Sequence, residues 1–255
     1  MKKYTYLTAA TWLAIFALWL AATGTGLVDE TLMPKPRAVW DALVETGDPA
    51  IGYNGHTLWR HLLVSLYRLL AAVAAAILTA VPLGLLSGYF IKVRAVVDSI
   101  VQFYRPIPPL AYYTLLVLWM GIGDSSKVML LYLAAFAPVY IACAEAVAMV
   151  DRRFILNARS MGATRWQVFR HVVFPASLPQ VFLGVRTAVG FAYTTLVSAE
   201  MVAAVSGIGW MVLDAHRFLK YDIVFLGVII MGVTGVLIDW GLREMENKYI
   251  FWKGK

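Results

Sequence analysis

Long apolar stretches dominate the chain. Runs free of Asp, Glu, Lys and Arg cover residues 4–28, 69–91, 106–123, 128–144 and 223–238, and the stretch 187–213 is interrupted only by Glu200. A helix needs roughly 20 apolar residues to cross a hydrocarbon core of about 30 Å. Shorter runs reach that length when a terminal charge snorkels to the headgroups. The pattern therefore predicts six spanning helices, near residues 7–26, 62–88, 100–120, 127–148, 184–205 and 222–242. Strands of a membrane barrel would alternate with a period of two, and these runs do not. The expected fold is an all-α polytopic membrane protein. Lys2 and Lys3 precede the first run as they would in a signal peptide. That run is much longer than a signal h-region of about 7–15 residues, so it is expected to be a retained helix.

The polar stretches between these runs set the organisation. Residues 27–60 form one long connection, within which the segment 36–45 opens with Pro36 and carries Val39, Trp40, Leu43 and Val44 at helical spacing. That predicts a short helix on the outer surface. A second connection, 149–180, carries Arg152, Arg153, Arg159, Arg165 and Arg170, with Pro175 and Pro179 closing it. The chain divides into an N-terminal helix with its external segment (1–60), a core (61–245) and a tail (246–255). With the N-terminus inside, thirteen Lys and Arg fall inside and six (Lys35, Arg37, Arg60, Lys127, Arg217 and Lys220) outside. The positive-inside rule thus places both termini and the 149–180 loop in the cytoplasm. Trp59, Trp119, Trp210 and Trp240 fall at span ends, where amphipathic rings prefer to sit.

Composition sharpens this picture. Of the 255 residues, 61% are hydrophobic and 15% charged, against about 45–50% and 25% in soluble domains. Mean hydropathy is +0.72. A soluble enzyme or a disordered chain is improbable on these figures. The net charge of +7 would point to nucleic acid in a soluble domain. Here the placement of the charges assigns it to cytoplasmic loops, and no nucleic-acid partner is expected. The single cysteine, Cys143, excludes an internal disulfide.

Recognisable catalytic chemistry is missing. There is no G-x-x-x-x-G-K-[ST] phosphate loop, no H-E-x-x-H and no G-x-S-x-G. His56, His61, His171 and His216 are scattered in or beside loops, so no metal site is expected. Charged residues in or near the spans are Arg105, Glu145, Arg186, Glu200 and Asp239. Ionisable groups in a bilayer are costly and face a partner or a cavity. Arg105, Glu145 and Asp239 lie near span ends, where snorkelling anchors are ordinary. Glu200 is deeper, and its alternatives are pairing with an arginine, capping a broken helix or lining a pathway. In Arg105-Pro-Ile-Pro-Pro109, Pro108 and Pro109 impede continuous helix. The alternatives there are a kinked helix start and irregular backbone lining a cavity. Arg105, Pro108, Pro109 and Glu200 are the candidate pathway residues. Gly84-x-x-x-Gly88 is a general helix-packing pattern.

The strongest motif is in the basic loop: Leu156-Asn-Ala-Arg-Ser-Met-Gly-Ala-Thr-Arg-Trp-Gln-Val-Phe-Arg-His-Val-Val-Phe-Pro175. It resembles the E-A-A loop of permease subunits of ATP-binding-cassette importers. Ala158, Gly162 and Pro175 keep the family spacing, while Leu156 stands where glutamate is usual, Asn157 for alanine, Val172 for isoleucine and Phe174 for leucine. Leu32-Met-Pro-Lys-Pro-Arg-Ala-Val-Trp40, Leu58-Trp-Arg-His-Leu-Leu-Val-Ser-Leu-Tyr-Arg68, Tyr104-Arg-Pro-Ile-Pro-Pro-Leu110, Trp119-Met-Gly-Ile-Gly-Asp-Ser-Ser-Lys127, Ala199-Glu-Met-Val-Ala-Ala204 and Ser206-Gly-Ile-Gly-Trp210 are similar to nitrate/sulfonate/bicarbonate-type permeases, most of all to the taurine branch. The resemblance implies a type I importer fold in a bacterial inner membrane. It also implies a second copy of the chain, a cytosolic ATPase dimer that carries ATP and Mg, and an extracytoplasmic substrate-binding protein. This chain would bind no cofactor itself. The loop would be the ATPase-coupling surface, through Asn157, Ala158, Arg159, Gly162, Ala163, Thr164, Arg165, Trp166, Arg170 and Pro175. A single short helix is expected over 157–170, with Ala158 and Gly162 four apart on one small face. The solute implied is a small anion or zwitterion, taurine or another sulfonate; the alternatives are nitrate, bicarbonate or a small heterocycle within the same family, and then an ion-coupled secondary transporter, although the internal symmetry common in such transporters is not visible.

Overall fold

The computed structural model describes residues 5–26 and 28–250. Lys2, Lys3, Lys253 and Lys255, which entered the orientation argument, lie outside them. Among the described residues helix is the regular structure, apart from an isolated bridge between Tyr53 and His56. Eleven α-helices follow one another among the described residues: α1 (Thr5–Gly24), α2 (Pro36–Gly47), α3 (Leu58–Tyr89), α4 (Ile91–Tyr104), α5 (Pro109–Met120), α6 (Asp124–Ala148), α7 (Arg152–Ser160), α8 (Arg165–Val168), α9 (Phe174–Ala203), α10 (Ile208–Arg217) and α11 (Tyr221–Tyr249).

Five of the described helical stretches are long and apolar enough to span a bilayer: Tyr6–Gly24, Leu58–Tyr89, Asp124–Ala148, Arg165–Val202 and Tyr221–Tyr249. The expected span at 100–120 is not one helix. It breaks between α4 and α5 at Arg105-Pro-Ile-Pro108, where the prolines remove backbone donors and Pro109 restarts the helix at its first turn. At 12 residues, α5 is about 18 Å long and falls short of the hydrocarbon thickness. The expected span at 184–205 begins far earlier. Pro175 sits in the first turn of α9 and Pro179 inside it, so the prolines do not close the loop. A five-residue π-helical stretch, Phe169–Val173, joins α8 to α9 without a break. The resulting 38-residue rod is about 57 Å long, nearly twice the core thickness. The tail assigned to 246–255 likewise starts inside α11.

The chain forms two compact units. The first comprises Met1–Val64 and Val205–Val233. Its core gathers Val39 and Ala42 of α2, Tyr53, Leu58, Ile208, Met211 and Ala215 of α10, and Ile223 and Leu226 of α11. The expected helix at 36–45 is present as α2, but it buries Val39 and Ala42 while Trp40 and Val44 are exposed. Trp19 of α1 donates its indole N–H to the Pro34 carbonyl at 3.1 Å and stacks on Phe225. The helix α10 carries no signal as long as a span and occupies what reads as an external loop.

The second unit comprises Ser65–Ala204 and Thr234–Lys255. Here α6 packs along α9 and against α5. Gly84 and Gly88 let α3 approach α6 closely: a Cβ on Gly84 would come within 2.6 Å of Cys143 Cβ, and one on Gly88 within 2.6 Å of Val147 Cβ. Gly184 of α9 meets Ala142 of α6 in the same way. Small residues at such crossings permit the backbone contact that drives helix association in lipid.

Candidate functional site

The basic loop is a helix–turn–helix rather than the single helix expected over 157–170. Asp151 caps α7, its carboxylate accepting the Arg153 backbone N–H at 2.8 Å. The Arg153 side chain and that amide hold the Asp151 carboxyl below its ordinary pKa. At the other end, Ala163 N–H donates to the Ala158 carbonyl at 3.1 Å and Gly162 N–H to the Arg159 carbonyl at 3.0 Å. These two bonds form a Schellman cap with Gly162 at φ +85°. Thr164 then opens α8. Its hydroxyl accepts the Gln167 N–H at 3.3 Å and the Gln167 side chain accepts the Thr164 N–H at 2.8 Å, a reciprocal capping box. Gly162 therefore ends α7, and it does not share a helical face with Ala158.

Burial sorts the loop residues into two sets. Val168, Phe169 and Val173 are buried against Ala80, Leu85 and Val147, and Ala158 and Ala163 pack partly on the same core. Ala158 and Ala163 thus face inward. The Tyr89 hydroxyl donates to the Arg165 carbonyl at 3.1 Å, tying the end of α3 to the turn. Facing out are Asn157, Arg159, Gly162, Thr164, Arg165, Trp166 and Arg170. Trp166 stacks on Phe169 with ring centroids 5.3 Å apart and remains 55% exposed. Met161 is 87% exposed at the tip of the turn.

Glu200 lies at 1% exposure and meets Arg68 of α3, Nη1 to Oε1 at 2.7 Å. Ser65 donates to both carboxylate oxygens at 2.8 and 2.9 Å. Arg68 reaches on to Asp124 at the start of α6, Nη2 to Oδ1 at 2.6 Å. One guanidinium thus joins α3, α6 and α9. Of the alternatives for Glu200, pairing with an arginine is the one observed; the sequence did not single out Arg68, Ser65 or Asp124 as its partners. The available signal was that Arg68 and Glu200 are opposite charges in otherwise apolar stretches. Asp239, read as an anchor, pairs instead with Arg186, Nη2 to Oδ2 at 3.2 Å, and with Arg243 at 2.9 Å.

The other pathway candidates lie elsewhere in the same unit. Arg105 and Pro108 are exposed in the break between α4 and α5, and Pro109 is partly buried. Arg105 lines a cleft of about 500 Å³ between α4 and α6. With Pro109 and Tyr112 it also lines one of about 310 Å³ that reaches Phe191 of α9. Glu200 lines neither cleft. Among the described residues no group of three His, Cys, Asp or Glu is placed to hold a metal ion.

Comparison with known proteins assigns the chain. Residues 80–249 match the family described as binding-protein-dependent transport system inner membrane component. The taurine transport system permease protein TauC of Escherichia coli strain K12 is 36% identical over 255 residues, covering 100% of this chain and 92% of that protein. The putative aliphatic sulfonates transport permease protein SsuC of Bacillus subtilis strain 168 is 33% identical over 94% of this chain and 84% of its own length. In structure the chain is similar to the inward-facing MetNI methionine ABC transporter, with a TM-score of 0.67 at 19% identity over 75% of this chain and 95% of that one. The long apolar helices, the helix–turn–helix loop and these matches converge: the chain belongs to the family of inner-membrane components of binding-protein-dependent transport systems, as a multi-pass permease subunit of an ABC importer related to sulfonate, nitrate and bicarbonate permeases.

Proposed function

We propose that this permease serves a sulfonate importer whose solute is taurine or a closely related aminosulfonate. It works as a homodimer with two copies of a cytosolic ATPase and an extracytoplasmic binding protein. Both termini and the 149–180 loop face the cytoplasm, and the loop couples the permease to the ATPase. The observation that carries this reading is the construction of the helix–turn–helix. Its caps and its buried residues are satisfied within the chain. What remains on its outer side is Arg159, Arg165, Arg170, Met161 and Trp166, for which the chain itself has little use. Guanidinium groups pair well with carboxylates, and an aromatic ring beside them is a natural anchor for a protein partner.

Within this reading Asn157, Ala158, Gly162, Ala163 and Thr164 shape the turn, and Pro175 opens the lever helix α9. ATP and Mg on the partner draw the ATPase dimer together. The turn moves with it, and the 38-residue rod from Arg165 to Val202 carries the movement into the bilayer as a two-state change. The broken backbone at Arg105, Pro108 and Pro109 borders the solute path, since irregular backbone at membrane depth is tolerated where it lines a cavity. Glu200 serves the path from behind, by locking the helices that surround it. The sulfonate assignment rests on the full-length similarity to TauC and SsuC.

Affinity purification from native membranes in mild detergent tests the assignment. An ATPase subunit is expected to co-elute, and vesicles holding the complex with its binding protein are expected to take up radiolabelled taurine only when ATP is supplied. Uptake by this chain alone, driven by an ion gradient, would overturn it.

A further inference from the structure

The cleft between α4 and α6 has a polar rim beside the buried Val101 and Tyr140. Arg94, Asp98 and Gln102 on α4 and Arg105 at its C-cap fall at helical spacing on one face, and that face meets Tyr140 and Glu145 of α6. Three of these groups are mutually engaged. Arg94 donates Nε–H to Asp98 Oδ2 at 3.1 Å, and the Tyr140 hydroxyl donates to Asp98 Oδ1. Arg94 and Asp98 thus form a locally neutral wall. Arg105 and Glu145 are different. Among the described residues neither side chain has an ionic or hydrogen-bonded partner, nor do the two pair with each other, although they line the same cleft of about 500 Å³. That volume lies in the range of small-molecule sites, roughly 300–1,000 Å³.

We propose that this cleft is a binding site for a small zwitterion, with Arg105 holding its anionic end and Glu145 its ammonium. The planar guanidinium suits a trigonal array of sulfonate oxygens through paired N–H donors. The carboxylate accepts from the ammonium, and Gln102, which lines the same cleft, is available to a bridging water. The cleft lies toward the basic loop: Glu145 is near the end of α6, just before residues 149–180, and α4 follows α3, whose Tyr89 bonds to Arg165. A solute held here would be the one about to leave on the loop side. The choice of 2-aminoethanesulfonate as probe rests on the reading under Proposed function. The pairing of one free cation with one free anion is independent of it.

The test uses the permease–ATPase complex in nanodiscs, without binding protein or ATP, and measures binding of taurine and of ethanesulfonate, which lacks the amine, by saturation-transfer NMR. Glu145→Gln is expected to weaken taurine roughly tenfold and leave ethanesulfonate unchanged. Arg105→Gln is expected to weaken both roughly tenfold, and Arg105→Lys to restore part of the loss. ATPase retention and melting temperature, measured alongside, identify a variant that merely misfolds. In cells, where the binding protein captures solute first, the variants should lower Vmax with little change in KM. Wild-type affinity for taurine in both Glu145→Gln and Arg105→Gln would overturn the site while leaving a taurine-transporting wild type, and hence the importer reading, intact. A wild-type complex that retains its ATPase yet neither binds nor transports any sulfonate would overturn the sulfonate reading, and this site with it.

Discussion

Gly162 shows how one residue's backbone sets a motif's spacing. At φ +85° with nothing within 4 Å of where a Cβ would stand, it is constrained by conformation and not by space. A side chain there costs about 1–2 kcal/mol of left-handed strain, whereas filling a tight interface would cost through overpacking. Gly162→Leu is therefore expected to lower the unfolding free energy of the loop by about that amount, and Gly162→Asn, which tolerates this region, to recover much of it. Hydrogen exchange of the Gly162 and Ala163 amides reads the cap directly. Equal protection in Leu and Asn variants would show that φ is not the constraint. The turn was partly legible in the sequence. Gly162 and the Thr164-x-x-Gln167 signature together mark a helix end followed by a helix start. The four-residue step from Ala158 to Gly162 invited a continuous helix instead, because periodicity alone does not distinguish a face from a cap.

At the scale of elements, hydropathy located the long helices because length and apolarity are local properties. It mistook α4 and α5 for one span because a window of apolar residues averages over Pro106, Pro108 and Pro109. It cut α9 short because charged and proline-containing turns at its start remain helical once Val168, Phe169 and Val173 are packed on the core. The Arg68–Glu200–Asp124 contact was only half legible: an arginine partner for Glu200 was one alternative, but Arg68 and Glu200 are 132 residues apart and only folding identifies which arginine it is. Removing one member of a buried pair strands the other charge, at a cost of about 3–5 kcal/mol. Arg68→Met is expected to lose stability on that order, since it takes the guanidinium from a carboxylate that is 1% exposed. Arg68→Met combined with Glu200→Leu is expected to recover most of it. Thermal unfolding of the single and double variants in one detergent measures the coupling. Additive losses would mean that the pair does not join α3 to α9.

For the whole molecule, the asymmetry of basic residues makes a definite claim about sidedness. Inside the bilayer-spanning arrangement the loop 149–180 carries five arginines, whereas the connection containing α2, residues 27–60, carries three basic residues, Lys35, Arg37 and Arg60. The loop richer in basic residues is the one expected to stay on the cytoplasmic side. The chain is well suited to a direct measurement. Its one cysteine, Cys143, is completely buried, so introduced thiols report without a background that has to be removed. Ala50 and Arg165 are both exposed and belong to the two connections the rule separates. In intact cells with a permeable outer envelope, a membrane-impermeant maleimide is expected to label Ala50→Cys and to spare Arg165→Cys. After the inner membrane is opened, both should react. Labelling of Arg165→Cys from outside would invert the molecule and with it the coupling role of the loop, because an ATPase drawing on cytosolic ATP could no longer reach the Schellman turn or the lever helix behind it.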